Sequence, residues 1–192
     1  MLSEFENYLK SKTSLTDDEI HIISSSALRQ NLNRNELVLK AGSVCRHKVF
    51  VVKGMLRTFS TSTNGNEHIL QFSPELTWTL DVESYDKEIP SQVNIEAIEP
   101  TEVLLWTKKD FTRFLNEIPE FKKLSQQIIS YNIYYNRQRM LTALSATPEE
   151  KYEDFTKRFP SLLLRLPLRM IASYLGISIK TLTRIRHSQL HR

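Results

Sequence analysis

Seven side chains close to the C-terminal end of the sequence, Arg169, Ser178, Lys180, Thr181, Thr183, Arg184 and Arg186, belong to types that meet phosphate oxygens and base edges. Arginine and lysine bond the O6 and N7 edge of guanine or a phosphate, and short hydroxyl side chains bond phosphates. On that chemistry Lys180 and Arg184 suit base edges or phosphates, Ser178 and Thr181 suit phosphates, and Arg169 and Arg186 suit the sugar-phosphate backbone. Residues 161–192 carry six basic side chains (Arg165, Arg169, Lys180, Arg184, Arg186 and Arg192) and no acidic one. The whole chain has 26 basic and 22 acidic residues, net +4, so the first 160 residues hold 20 basic against 22 acidic and are net −2. The positive charge is local. Such a patch draws a polyanion through counterion release as well as through direct contact.

The elements that must hold these residues are legible in the same stretch. From Leu168 to His187 the spacing predicts a helix-turn-helix: Ala172 is small where two helices cross, and Gly176 sits in a turn that needs a left-handed backbone. Ile171, Leu175, Ile177, Leu182 and Ile185 are apolar where the helices pack, and Ser178 is placed to cap the second helix. Its exposed face then presents Ile179, Lys180, Thr181, Thr183, Arg184 and Arg186 along the part of a recognition helix that enters the major groove. Upstream, Ala146-Thr147-Pro148 ends one helix and starts another over 148–158, with Glu149 and Glu150 in its first turn where the helix dipole favours acids.

A long helix is expected over 119–146, with Pro119 at a first helical position. Phe121, Leu124, Ile128, Tyr131 and Tyr135 alternate at spacings of three and four, which keeps one apolar seam facing a partner as in a coiled coil. A second copy of the chain is the simplest partner, so these five residues are the expected homodimer interface. A second line, Ile129, Ile133, Met140 and Leu144, is expected to pack on the preceding domain.

That domain reads as β-rich. After a helical start, where Thr16 and Glu19 form a capping box, short strand-like segments from 28 to 106 are punctuated by turn residues at Ala41-Gly42, Lys53-Gly54, Asn64-Gly65 and Glu99-Pro100. The expected hairpins pair 49–52 with 55–61 through Gly54, and then lead across Asn64-Gly65, with both turn positions at positive φ, into 67–72. With 192 residues of which 40% are hydrophobic, the chain accommodates one medium domain and one short one. The expected division is 1–118, the linking helix 119–146, and 147–192. No stretch approaches the roughly 20 apolar residues of a membrane span, so a cytoplasmic protein is expected. The single cysteine, Cys45, cannot form an internal disulfide or hold zinc or an iron–sulfur cluster by itself, and neither a metal nor a cofactor is expected.

Taken together, the β punctuation at Gly42, Gly54 and Asn64-Gly65, the long helix, and the string Leu166-Pro-Leu-Arg-Met-Ile-Ala-Ser-Tyr-Leu-Gly-Ile-Ser178 resemble the Crp/Fnr family of bacterial transcription regulators. The resemblance implies an α+β chain with an N-terminal jelly roll like a cyclic-nucleotide-binding domain, acting as sensor. It also implies a parallel dimer through the long helix, winged helix-turn-helix domains that read a two-fold related DNA site, and an influence on RNA polymerase. The chain ends soon after the predicted recognition helix, so a missing or reduced wing is expected. In nucleotide-binding members of the family a Gly-Glu pair holds the ribose, and an Arg followed by Ser or Thr holds the cyclic phosphate. The corresponding stretches here read Pro74-Glu75-Leu76 and Ser91-Gln92-Val93-Asn94, making Glu75, Leu76, Ser91 and Gln92 the expected pocket residues. No Arg or Lys lies between His68 and Lys87, or from Pro90 to Pro100, so a cyclic phosphate would lack the cation that offsets its desolvation. The expected effector is an unidentified small molecule other than a cyclic nucleotide, or none.

Two other classes compete. A metal-dependent cupin enzyme shares the strand rhythm, but the β region offers only His47 and His68, with no His-x-His pair, and Glu67 points to the opposite strand face from His68. An enzyme is therefore not expected, and no catalytic residue is assigned. The other alternative is a small-molecule sensor or protein-interaction module whose helix-turn-helix does not read DNA; a shallow salt dependence of binding would mark it.

Overall fold

The computed structural model describes residues 2–190; Arg192 of the basic cluster lies outside them. The chain forms two compact units. The first comprises residues up to Thr61 together with Leu70–Ile129, and the second comprises Ser62–Ile69 and everything from Ser130 onward.

The first unit opens with helices α1 (Leu2–Lys12) and α2 (Asp17–Ser25). The Thr16 hydroxyl accepts from the Glu19 amide and the Glu19 carboxylate accepts from the Thr16 amide, the capping box expected there. The strands are β1 (Leu28–Leu32), β2 (Leu37–Leu39), β3 (His47–Lys53), β4 (Leu56–Thr61), β5 (Glu67–Ser73), β6 (Trp78–Thr79), β7 (Asn94–Ala97) and β8 (Thr101–Thr107). They form two four-stranded antiparallel sheets, ordered β1-β8-β3-β6 and β2-β7-β4-β5. Side chains on a strand alternate between faces, and the apolar runs of β3 and β8 are uninterrupted because both of their faces are covered. Val49, Val51, Val103 and Leu105 join Leu56, Ile95 and Ala97 of the other sheet in one core. Phe50, Val52, Leu104 and Trp106 turn the other way, into a second core with Phe5, Leu9, Ile20 and Ile23 of α1 and α2. Trp106 is fully buried there and its indole donates to the Ile23 carbonyl at 2.8 Å.

The structure corrects three expectations. The segments 49–52 and 55–61 do not pair: β3 and β4 belong to different sheets, and Gly54 is where the chain crosses between them. Gly54 has φ +88°, and a Cβ there would lie 2.6 Å from both the Pro100 carbonyl oxygen and the Thr101 hydroxyl. Secondly, the Asn64-Gly65 turn does join neighbouring strands, β4 and β5, but only Gly65 takes positive φ. The Gly65 amide bonds the Ser62 carbonyl at 2.9 Å and the Ser62 amide bonds the Asn66 carbonyl at 2.9 Å, a three-residue turn closed by a glycine bulge. Thirdly, a short helix α3 (Val82–Lys87), capped by Asp81, interrupts the region read as strands throughout. A six-residue helix is too short to show a 3.6-residue period.

Helices α4 (Lys108–Glu117) and α5 (Pro119–Ser145) follow. In the second unit α6 (Pro148–Arg158), a 3-10 turn (Pro160–Leu164), α7 (Leu168–Leu175) and α8 (Ile179–Leu190) enclose a small core of Tyr152, Phe155, Leu162, Leu166, Met170, Ile171, Leu182 and Ile185, all buried. Thr147 and Glu150 form a capping box at α6, and the Thr147 amide and hydroxyl hold the Glu150 carboxyl below the usual carboxylate range. Among the described residues no helix is long and apolar enough to cross a membrane.

Candidate nucleic-acid interface

Helices α7 and α8 are joined by Gly176-Ile177-Ser178. Gly176 adopts the left-handed conformation at φ 65°, its amide bonds the Ser173 carbonyl at 3.2 Å, and the Ile177 amide bonds Ala172 at 3.1 Å, so the last carbonyls of α7 are satisfied as the chain reverses. A Cβ at Gly176 would meet nothing within 4 Å, so the demand on this position is conformational and not spatial. Gly176→Ala is accordingly expected to cost about 1–2 kcal/mol, read as a shift in the urea midpoint of the second unit. Ala172 is 4% exposed, and Leu182 and Ile185 are buried on the inner face of α8. The Ser178 hydroxyl accepts from the Thr181 amide at 3.0 Å and caps α8.

This anchoring turns one face of α8 outward. Lys180, Thr183, Arg184 and Arg186 are exposed on it, as are Ser178 and, on α7, Arg169. Their hydroxyls are less free than the sequence suggests. Ser178 and Thr181 share a hydrogen bond at 2.8 Å, and the Thr183 hydroxyl donates to the Ile179 carbonyl at 2.9 Å, one turn back in the same helix. The cations remain the side chains that project. Among the described residues, Arg184 alone of the proposed contacts has an ionic partner: its Nη2 lies 2.9 Å from Oε1 of Glu149 in the first turn of α6. Sequence reasoning placed Glu149 on the helix dipole and missed this pairing, which depends on how α6 packs against α8.

Two further contacts in the second unit carried no sequence signal. The Ser173 hydroxyl of α7 donates to the Glu67 carbonyl at 2.7 Å and accepts from the Ile69 amide at 3.1 Å. The Arg139 guanidinium bonds the Ile69 and Tyr174 carbonyls at 3.3 and 3.2 Å and lies 4.0 Å from the Tyr174 ring. The start of β5 is thereby tied to both α5 and α7.

The long helix divides its apolar residues differently from the expectation. Phe121 and Leu124, read as part of a dimer seam, are 2% and 5% exposed and belong to the helix-covered core of the first unit; Ile128 packs partly against that core. Tyr135 is half-buried, its hydroxyl 2.6 Å from that of Tyr174, and burial with that neighbour pushes its pKa well up. Of the five residues only Tyr131 is exposed. The second line, expected to pack on the β domain, is the exposed one: Ile133 is 60% exposed, Met140 61% and Leu144 81%, with Ile129, Tyr134 and Leu141 beside them also exposed. Both lines have helical spacing, and only the tertiary packing of the first turns decides which is covered.

The four residues expected to line a ligand pocket are held in separate ways. The Glu75 carboxylate accepts from the Gly54 amide at 3.0 Å, and Leu76 takes a left-handed φ of 61° with its side chain exposed. Ser91 is buried, and its hydroxyl donates to Asp81 at 2.7 Å while Asp81 also caps α3; Gln92 is exposed. A carboxylate therefore occupies the α3 N-terminus. Arg57, the buried cation of this unit, faces Glu96 across the β4–β7 ladder at 2.9 Å.

Comparison with known proteins places this architecture. The sequence profile of the cyclic nucleotide-binding domain matches residues 29–117. The transcriptional activator protein FnrA of Stutzerimonas stutzeri is 26% identical over 169 residues, covering 80% of this chain and 67% of that protein. The transcriptional activator protein anr of Pseudomonas aeruginosa is 24% identical over 188 residues, covering 90% of this chain and 75% of that protein. Among solved structures, FixK2 from Bradyrhizobium japonicum superposes with a TM-score of 0.75 at 19% identity, covering 86% of this chain and 84% of that one. A regulator of the crp/fnr family from Eubacterium rectale superposes with a TM-score of 0.71 at 18% identity, covering 96% and 88%.

Proposed function

Since the chain belongs to the Crp/Fnr family of transcription regulators, we propose that it acts as a homodimer whose α8 helices read double-stranded DNA, one half-site each. The observation that carries the reading is the capped, acid-free α8, which projects Lys180, Arg184 and Arg186 from a scaffold fixed by Gly176 and Ala172. Lys180 and Arg184 read base edges or phosphates; Arg169, Arg186 and whichever of the paired Ser178 and Thr181 hydroxyls has its proton free fix the register on the backbone, while Thr183, its hydroxyl turned to Ile179, lies on the same face.

In this reading residues 1–118 form the sensor, 119–146 the dimerisation helix and 147–192 the DNA-binding domain. The dimer seam passes to Ile129, Ile133, Met140 and Leu144, joined by Tyr131 of the original set, because Phe121 and Leu124 are committed elsewhere. A cyclic nucleotide is not the effector: Asp81 at the α3 N-terminus repels a phosphate, and Glu96 holds the charge of Arg57. The protein works in the cytoplasm as a regulator and not as an enzyme, and contact with RNA polymerase accompanies its binding to a promoter.

Selection of bound genomic fragments by the purified protein tests this. Enrichment of a two-fold symmetric motif is expected, falling steeply with salt and lost with Lys180→Ala plus Arg184→Ala. Equal recovery of all fragments by the wild type would remove sequence-specific DNA recognition.

A further inference from the structure

The second unit contains a cleft of about 250 Å³ bounded by α5, α6 and α7, away from the outward face of α8. Its walls have two characters. One is aromatic: Tyr135 and Phe159 have ring centroids 6.4 Å apart, Phe159 and Phe155 5.6 Å, and Phe155 and Tyr174 5.6 Å, so four rings form a continuous surface. The other is cationic, with Arg139, Lys151 and Arg158 against a single acid, Asp154. Asp154 is taken up by Arg158 at 2.8 Å, and Lys151 has no ion-pair partner among the described residues. The Tyr135 hydroxyl, bonded to that of Tyr174, adds a neutral hydrogen-bonding group on the floor. A flat ring laid on such a wall gains stacking and apolar burial, and an anionic substituent at the rim gains Lys151 and the neighbouring guanidinium groups.

We propose that this cleft is a binding site for a small aromatic anion, a single or fused ring bearing a carboxylate or sulfonate. The volume fits a ligand of one or two rings. The occupant touches Tyr174 and Leu175, the last residues of α7 before the left-handed Gly176, and so bears on the element that sets the start of α8. The site lies outside the β sheets and stands independently of DNA binding.

The test uses the full chain and 1-naphthalenesulfonate, titrated by ligand-observed NMR, with neutral 1-naphthalenemethanol as the matched control. Two variants complete it. Lys151→Gln removes the unpaired cation, and Ala143→Phe fills the cleft from an exposed helical position; the folding of each is checked by circular dichroism. Saturable binding of the sulfonate is expected, at least tenfold tighter than the alcohol, weakened at least fivefold by Lys151→Gln and abolished by Ala143→Phe. Equal affinities for sulfonate and alcohol would overturn the anion assignment. Unchanged binding to a folded Ala143→Phe chain would place the ligand elsewhere, and no saturation at millimolar sulfonate would overturn the site.

Discussion

Gly54→Ala is expected to destabilise the first unit by about 3–5 kcal/mol, a large share of the roughly 5–15 kcal/mol that holds an ordinary domain together. The added methyl meets the Pro100 carbonyl oxygen and the Thr101 hydroxyl at 2.6 Å and the Thr101 Cα at 2.8 Å, and two of these three atoms are backbone that cannot swing aside. Gly42→Ala is the matched control. It has the same φ of +88° but open space around the new atom, so only the conformational cost of about 1–2 kcal/mol applies. Urea unfolding followed by tryptophan fluorescence reads both, since Trp78 and Trp106 belong to this unit. Similar losses in the two variants would mean that backbone conformation and not the crossing geometry sets the requirement.

Ile133→Asp combined with Leu144→Asp is expected to convert the protein into monomers in sedimentation velocity and to lower affinity for a two-fold site by on the order of a hundredfold, as the two half-site contacts cease to be linked. Both side chains are more than half exposed, so the substitutions spare the core of either unit. Ile128→Asp reports on something else. It strikes a residue packed against the first unit's core and is expected to lower that unit's unfolding midpoint. A dimer that survives the double substitution would remove this face of α5 from the interface.

These two predictions mark where the sequence is readable and where it is not. Gly176, Ala172 and Ser178 each answer a local requirement, a left-handed residue, a close helix crossing and a cap, and local requirements are written in adjacent letters. The limits of α5 are legible for the same reason, with Pro119 at one end and Thr147-Pro148 beyond the other. Strand partnership is different. Val49 to Val52 and the segment after Gly54 carry similar β-formers, and nothing local distinguishes a tight hairpin from a crossing between sheets; the Gly54 contact that decides it involves residues almost fifty positions away. The two apolar lines of α5 are equally periodic, and the first turns are covered only because α4 and the outer face of β8 supply a surface for Phe121 and Leu124. Of the candidate interface, the cations on α8 were legible and Glu149, the partner of Arg184, was not.

That partner sets what Arg184 must give up before it can serve a polyanion. The Arg184–Glu149 pair is well exposed at both ends, 67% and 50%, so opening it costs only about 0–1 kcal/mol. On the proposed reading Arg184 exchanges one anion for another, and its net gain is the difference between a phosphate and this carboxylate. A lone exposed carboxylate condenses no counterions, so the slope of log K against log salt should still count every phosphate contact. Glu149→Gln should therefore tighten DNA binding by up to about fivefold while leaving that slope nearly unchanged.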